Sequence, residues 1–474
     1  MADLQIKTRS GETRSLPPEA INSLAAGFGG RLLHPLSADY DAARSVWNAM
    51  IDRRPALIAQ CHTAADVVAA VRFATHHALL VSVRGGGHNI AGNAVCDGGL
   101  MIDLSGMTQV DGDPTSRTAR VGPGATLADL DRATQAHALA TPVGINSTTG
   151  IAGLTLGGGF GWLSRSLGLT IDNLLSVEIV TASGTLVTAS ATEHADLFWA
   201  IRGGGGNFGV VTSFQFRLHP IGPDVLAGMV IHPLDAAGNV LRFYREFIKT
   251  TPDDFVCWFV LRQAPPLPFL ASEWHGKPIL VLAMCYAGPV ADGEKVAHPL
   301  RSFGRPIADV VGVTPFTAWQ TVLDPLLTPG MRNYWKSHDF LALPDGLINV
   351  LTDHAGRIPD PQTEIAVAQL GGAVSRVPAD ATAYTHRDAQ FVMNVHGRWA
   401  DPSKDAACID WARLLFQAAA PFATGGVYVN FLTQEEQGRV KAAYGSNYDR
   451  LAALKKKYDP DNVFRVNQNI TPAA

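Results

Sequence analysis

Apolar and polar positions alternate along this chain in short runs whose period changes several times, and the changes mark its elements. Leu57-Ile58-Ala59 reads as a strand. Thr63, followed three residues later by Asp66, has the form of a capping box and opens a helix whose Val67, Val71 and Ala74 share one face. The apolar run Leu79 to Val83 returns as a strand, giving a β-α-β unit whose strand end is where ligands of α/β layers usually sit. Leu100 to Leu104 and Thr118 to Val121 are further short strands, and Thr126 starts a helix through Leu130 toward His137. Val177 to Thr181 and Leu186 to Ala189 flank Ser183-Gly184, a hairpin signal, and Val210 to Leu218 is the next strand. From about Pro220 the character changes. Alternating strands such as Leu280 to Cys285 and Phe391 to His396 appear with helices between them, and Pro265, Pro266 and Pro268 mark a loop. A polar helix around Asp449 to Lys457 ends at Asp459-Pro460. The pattern predicts an α+β chain of two lobes.

Three glycine clusters punctuate the first half: Arg84 to Asn89 (RGGGHN), Gly150 to Gly161 (GIAGLTLGGGFG) and Arg202 to Gly209 (RGGGGNFG). Backbone without side chains can press against a flat or polyanionic ligand, so three separated segments can converge on one extended molecule. Arg84 offers a phosphate or carboxylate partner, and His88 a ring nitrogen that is nucleophilic when neutral. Gly204, Gly206 and Gly209 also fit GxGxxG, but Val210 to Phe216 alternates like a strand where a dinucleotide fingerprint opens a helix. NAD is therefore excluded.

Composition narrows the partners. A hydrophobic share of 47% against 17% charged residues describes a well-buried enzyme-like globule, and 474 residues suffice for two large lobes or about three smaller units. Net charge is −4 with no dense basic run, which argues against nucleic acid and anionic membrane surfaces. The five cysteines are scattered, with no CxxC pair to suggest a metal or redox motif, so buried thiols in a reducing compartment are expected. The opening MADLQIKTRSGETRS has no apolar core behind a charged lead, and no later run is long enough to span a bilayer; the expectation is a cytoplasmic protein.

The order RGGGHN at 84–89, GGGFGWL at 157–163 and DLFWAIRGGGGNFG at 196–209, closed by Tyr428-Val429-Asn430 and KYDPDNVF at 457–464, resembles the berberine bridge enzyme-like flavoproteins of the vanillyl-alcohol oxidase group. The resemblance implies a two-lobed PCMH-type FAD-binding fold. Residues 50–220 would form the FAD-binding domain, with 1–49 in the same lobe. Residues 221–425 would form a substrate-binding domain on an antiparallel sheet covered by helices, and 426–474 a closing segment that returns to the FAD lobe. It implies FAD contacts from Arg84, Gly85, Gly86, Gly87, His88, Asn89, Asn146, Thr149, Gly150, Gly153, Gly157, Gly158, Phe160, Gly161, Gly206, Asn207, Tyr428 and Asn430. His88 matches the histidine linked to the flavin 8α-methyl. Asn146 stands where many relatives carry a second, cysteinyl link, so a single attachment is expected, since an amide cannot replace a thiolate.

The resemblance further implies that Tyr428 removes a substrate proton as hydride passes to flavin N5, or that its hydroxyl only orients the ring. Thr149 falls where oxygen approaches. Asn394 falls near substrate-contacting positions, and on the strand Val392, Asn394, His396 the last shares its face and could shift the ionisation of Tyr428. Arg165, Asp172 and Asn173 read as structural ties. Together these imply an FAD-dependent oxidase taking hydride from an alcohol or amine carbon of a small molecule and passing electrons to dioxygen. A dehydrogenase with another acceptor, and a flavin-bearing binding protein without turnover, remain open alternatives, and the oligomeric state is not indicated.

Overall fold

The capping box at Thr63 forms. In the computed structural model, which describes residues 3–474, Asp66 N donates to Thr63 Oγ1 at 3.3 Å and Thr63 N to Asp66 Oδ2 at 2.9 Å, and the helix runs Ala64–His76. Residues 1 and 2 of the expected N-terminal part lie outside the described residues. Asp66 also accepts from Gly29 N and His62 N; burial works against the charge, but these N–H donors keep its pKa below the usual carboxylate value. The helix packs on a four-stranded sheet ordered Arg31–Leu33, Leu57–Gln60, Leu100–Asp103, Val81–Arg84, in which Leu100–Asp103 is the centre and runs parallel to both Leu57–Gln60 and Val81–Arg84. The strand starts at Val81 rather than Leu79. Ala78, at φ 52°, turns the chain just before it.

A second sheet of the first lobe is antiparallel, ordered Leu186–Ser190, Leu174–Val180, Val210–Arg217, Thr118–Val121, Val110–Asp113. The hairpin expected at Ser183-Gly184 is there, and Val210–Arg217 is a strand, so no dinucleotide helix follows the glycines. The helix opened by Thr126 spans Leu127–Gln135, with a second capping box to Asp129, and stops short of His137 because Ala138 turns at φ 52°.

The second lobe is one antiparallel sheet of eight strands. Its main path is Ala308–Asp309, Asp224–Pro233, Pro278–Tyr286, Phe255–Gln263, Glu364–Gln369, Phe391–Trp399, Arg332–Phe340. Side chains alternate between its faces. Phe259, Leu261, Leu280, Leu282, Val367 and Val395 point to a core shared with the helices Leu234–Phe247, Asp345–Ala355 and Asp405–Ala419. The opposite face, with Trp258, Val260, Val281, Ala283 and Asn394, is turned to the first lobe and is also buried, which is why these strands read as near-continuous apolar runs.

The last helix, Tyr448–Tyr458, lies back on the first lobe. Lys455 and Asp459 form an ion pair at 2.7 Å with neither side chain exposed. Lys455 Nζ also donates to Asn207 O at 2.7 Å, and Asp459 accepts from Val463 N and Phe464 N. Such satisfaction is what a buried pair requires. All five cysteines are free and buried, and among the described residues no helix is long and apolar enough to cross a membrane.

Asp131, on the helix Leu127–Gln135, is buried and accepts a hydrogen bond across the lobes from Gln320 Nε2 at 2.9 Å. Burial pushes its pKa up to about 7, with Gln320 partly offsetting. A folded-state pKa above the unfolded one gives stability that is whole below the unfolded value and is lost as pH rises through the folded value. Asp131→Asn keeps the acceptor and removes the charge. It should therefore stabilise the protein by on the order of 2–4 kcal/mol at about pH 8 and by close to nothing at about pH 4, read as thermal midpoints of both proteins across that range.

Candidate active site

Between the lobes lies a cavity of about 590 Å³. One wall is made by loops of the first lobe, Gly85 to Asn89, Thr149 to Gly153, and Gly205 with Gly206; the other is the inner face of the large sheet. Two of the loops touch through bare backbone. A Cβ on Gly86 would stand 2.5 Å from Gly150 N, and one on Gly150 would stand 2.4 Å from Gly86 N. Only glycine fits at either position.

This contact sets His88 beside residues 146–150. Its Nε2 lies 3.2 Å from Thr148 Oγ1, whose own proton goes to Asn146 Oδ1 at 2.8 Å. The threonine oxygen is then an acceptor, so Nε2 carries the hydrogen and Nδ1 keeps its lone pair. Burial pushes the pKa of His88 down to about 4, with Thr148 partly offsetting, and the ring is neutral at physiological pH. Trp47 stacks on it, centroids 5.2 Å apart at 20°.

Tyr428, buried against Phe160 and Phe431, receives two hydrogen bonds on its phenol oxygen, from Gly159 N at 3.1 Å and from Asn430 Nδ2 at 3.0 Å. Asn430 Nδ2 also donates to Gly153 O, which fixes the amide. Burial pushes the pKa of Tyr428 up to about 12, and the two donors pull the other way. The phenol is thus protonated at rest, with two N–H donors on its oxygen that favour the phenolate over an unassisted buried one.

Along one register of the sheet stand Arg262, Glu364 and His396. Arg262 Nη1 meets Glu364 Oε2 at 2.7 Å, and His396 Nδ1 meets Glu364 Oε1 at 3.2 Å. Burial opposes the charge on Glu364, but Arg262, His396 and Arg398 hold its pKa down to about 2. His396 is shifted downward, by burial first and by Arg398 and Arg262, with Glu364 pulling the other way; of its two nitrogens the one facing the carboxylate has the stronger acceptor.

Comparison with known proteins places this geometry. Residues 55–190 match the FAD binding domain family, and residues 427–471 match the berberine and berberine like family. An FAD-linked oxidoreductase of Dictyostelium discoideum is 30% identical over 460 residues, covering 96% of this chain and 97% of its own. The chain belongs to the berberine bridge enzyme-like FAD-linked oxidoreductases. The (R)-6-hydroxynicotine oxidase of Paenarthrobacter nicotinovorans is 30% identical over 460 residues, covering 94% of this chain and 97% of its own. The solved structure of a chitooligosaccharide oxidase superimposes with a TM-score of 0.84 at 26% identity, covering 96% of this chain and all of that one.

For a berberine bridge enzyme-like oxidoreductase the group to be held is FAD, and the cavity suits it. Its first-lobe wall includes bare glycine backbone at 85–87, 150, 153 and 205–206, and buried polar atoms without a protein partner, Asn93 Nδ2 and Gln468 Oε1, belong to residues that line it. Of the positions singled out in the sequence, Gly85, Gly86, Gly87, His88, Asn89, Asn146, Thr149, Gly150, Gly153, Phe160, Gly206, Tyr428, Asn430, Asn394 and His396 line this one cavity.

Others stand behind the wall. Arg84 donates to Ala43 O; Gly157 packs under the Asn430 amide, Gly158 between the rings of Tyr384 and Tyr428, and Gly161 on Val143 O. Asn207 is a structural tie, bonded to Gly204 O, Gln468 O and Ile470 N. The expected influence of His396 on Tyr428 is also not found. Tyr428 packs on Phe431, Phe431 on Trp335, and Trp335 on His396, and no charge from His396 reaches the phenol. Arg165, Asp172 and Asn173 are ties as expected: Arg165 bonds Phe255 O and Leu370 O, Asp172 holds Arg387, and Asn173 Nδ2 bonds Leu167 O and Leu169 O. Sequence reasoning missed Trp47 and Glu364, which sit in no motif, and Asn467 and Gln468, which lie just past the closing Val463-Phe464.

The loop contact gives a direct test. Gly86→Ala puts a methyl group into the Gly150 backbone and should strip flavin from the purified protein and lower its thermal midpoint by several degrees, whereas Gly438→Ala, away from the cavity and where a Cβ meets no atom within 4 Å, should keep its flavin. The absorbance ratio of flavin to protein after gel filtration reads both.

Proposed function

We propose that this FAD-dependent oxidase holds its flavin by a single bond to His88 and uses Tyr428 to take the proton as hydrogen leaves an alcohol or amine carbon of a small molecule. The observation that carries it is that a neutral His88 with a free Nδ1 and a phenol oxygen cradled by two N–H donors line the same cavity. When bound, the flavin supplies the redox step, accepting the electron pair and returning it to dioxygen. The chain supplies the rest. The loops orient the cofactor, Thr148 and Asn146 hold the tautomer of His88, and the apolar wall excludes water. Tyr428 takes the substrate proton as its phenolate, formed by loss of its own proton to solvent, and the Gly159 and Asn430 N–H donors stabilise the negative charge of that form. With its pKa at about 12, only about 10⁻⁵ of Tyr428 is ionised at pH 7, so the active phenolate is a minor species whose share rises about tenfold per pH unit. The substrate belongs to a wide range, since the relatives named above are a hydroxynicotine oxidase and a chitooligosaccharide oxidase by their names. A cytoplasmic location fits the buried free thiols.

Acid precipitation should leave the flavin in the pellet, and peptide mapping should find it on His88 with no cysteinyl adduct, since position 146 is asparagine. Thr148→Val frees the histidine ring to take either tautomer and should slow covalent incorporation into apoprotein by several-fold, with Thr148→Ser restoring it. Flavin released entirely into the supernatant of the wild type would overturn the attachment.

Tyr428→Phe should slow anaerobic flavin reduction by about 10²–10⁴ if the tyrosine takes the proton, and by less than about tenfold if it only orients substrate. Flavin content should be unchanged. Because the phenol titrates at about 12, the wild-type rate of reduction should rise with pH and reach no plateau below about pH 10, and Tyr428→Phe should lose that rise.

A further inference from the structure

The sheet wall of the cavity is sorted by chemistry. Most of it is apolar: Trp258, Val260, Val281 and Met229 from the strands, met by Trp162 and Trp319, with the ring centroids of Trp162 4.8 Å from those of Trp258 and 5.0 Å from those of Trp319. Polar groups gather at the Arg262–Glu364–His396 register, with the Asn394 amide, whose Oδ1 has no partner, in the row beside it, and at the register itself the supply is lopsided. The one carboxylate is already taken by Arg262 and His396, with Arg398 also bearing on it. Arg262 places Nη1 on Glu364 and Nε on Gln263 O, which leaves Nη2 without a protein acceptor. Trp335 Nε1, across from His396, is a second donor with no partner.

We infer that the substrate is an apolar, ring-bearing alcohol or amine whose hydrogen-bond-accepting oxygen, a carbonyl, phenolate or carboxylate, is held by Arg262, with its rings against Trp162 and Trp258. This rests on the oxidase reading above and names the substrate class of that site. Two competing classes fit worse. Each sugar ring of an oligosaccharide carries several hydroxyls, and every one buried without a partner costs about 1–3 kcal/mol. A ligand ammonium at the polar end would face Arg262, with the one carboxylate there already taken. An oxygen acceptor gains a charge-assisted bond instead.

Calorimetric titration of the flavin-loaded protein tests this with three probes that need no turnover: 2-naphthoate, naphthalene and cellotetraose. Naphthoate should bind at least about tenfold more tightly than naphthalene, and cellotetraose more weakly than either. Arg262→Met should abolish the naphthoate preference while leaving naphthalene within about twofold of wild type, and Arg262→Lys should retain part of it. Trp258→Leu should weaken both aromatic probes. Tighter binding of cellotetraose, equal binding of naphthoate and naphthalene by the wild type, or binding of neither would each overturn the inference, and the wild-type comparison stands even where a variant fails to fold. These outcomes are separate from the oxidase reading, which falls only if the flavin is absent or is not reduced by any alcohol or amine.

Discussion

Everything chemical in this molecule depends on two pieces of backbone being allowed to touch. Gly86 follows a parallel strand and Gly150 opens a short helix 64 positions later, yet the main chain of each occupies the space a side chain would need on the other. The loop carrying Gly150 is held from behind by Leu127 N on Thr149 O and Ile151 N on Ala125 O, so the first loop meets a rigid surface. His88, two residues beyond Gly86, inherits its place from that contact. Thr148 and Asn146, just before Gly150, then decide which nitrogen of its ring is free. The position and tautomer of His88 are in this way set by backbone proximity and two neutral side chains.

The opposite wall solves a different problem. A sheet with helices on one face ordinarily turns the other to water or to a second layer. Here that second face encloses a cavity, and its residues divide by register. The row through Trp258 is apolar, the row through Val260 and Ala366 carries one amide, Asn394, and the row through Arg262, Glu364 and His396 is ionic. A buried ion pair contributes little net stability on its own, because desolvation offsets attraction. Removing one partner is costly. The row is therefore better understood as a fixed polar end in an otherwise greasy site than as a stabilising device.

Features that depend on local rules were legible in the sequence. Both capping boxes, at Thr63 and Thr126, need only two residues three apart, and the hairpin at Ser183-Gly184 and the rejection of the GxGxxG at 204–209 rest on period alone. Strand and helix ends slipped where Ala78 and Ala138 take left-handed backbone, a choice alanine does not advertise. The glycine loops announced a cradle, but not which glycines face it. Gly157, Gly158 and Gly161 look identical to Gly153 in sequence, and only packing against Asn430, Tyr384 and Val143 turns them away. Asn207 follows the same logic: burial against Gln468 and Ile470, contributed by the far end of the chain, makes it a tie. Trp47 and Glu364 could not be found because nothing local marks them. Their role comes from tertiary neighbours, His88 for one and Arg262 for the other.

Tyr428 shows how the two ends of the chain meet in one chemical group. Burial alone would make its phenolate expensive, and no cation in contact offsets that cost. What it has is a pair of N–H donors, one from Gly159 in the second glycine cluster and one from Asn430 beside it in sequence. Donors of this kind favour the phenolate and offset part of the burial cost, and they are fixed in place before any charge develops. Their aim depends on the closing segment staying against the first lobe. The buried Lys455–Asp459 pair secures that, because Lys455 also grips Asn207 O in the third glycine cluster while Asp459 caps Val463 and Phe464. Strain on that pair would reach the phenol through backbone position and not through charge, which makes it a structural determinant of the chemistry although it touches neither cofactor nor substrate.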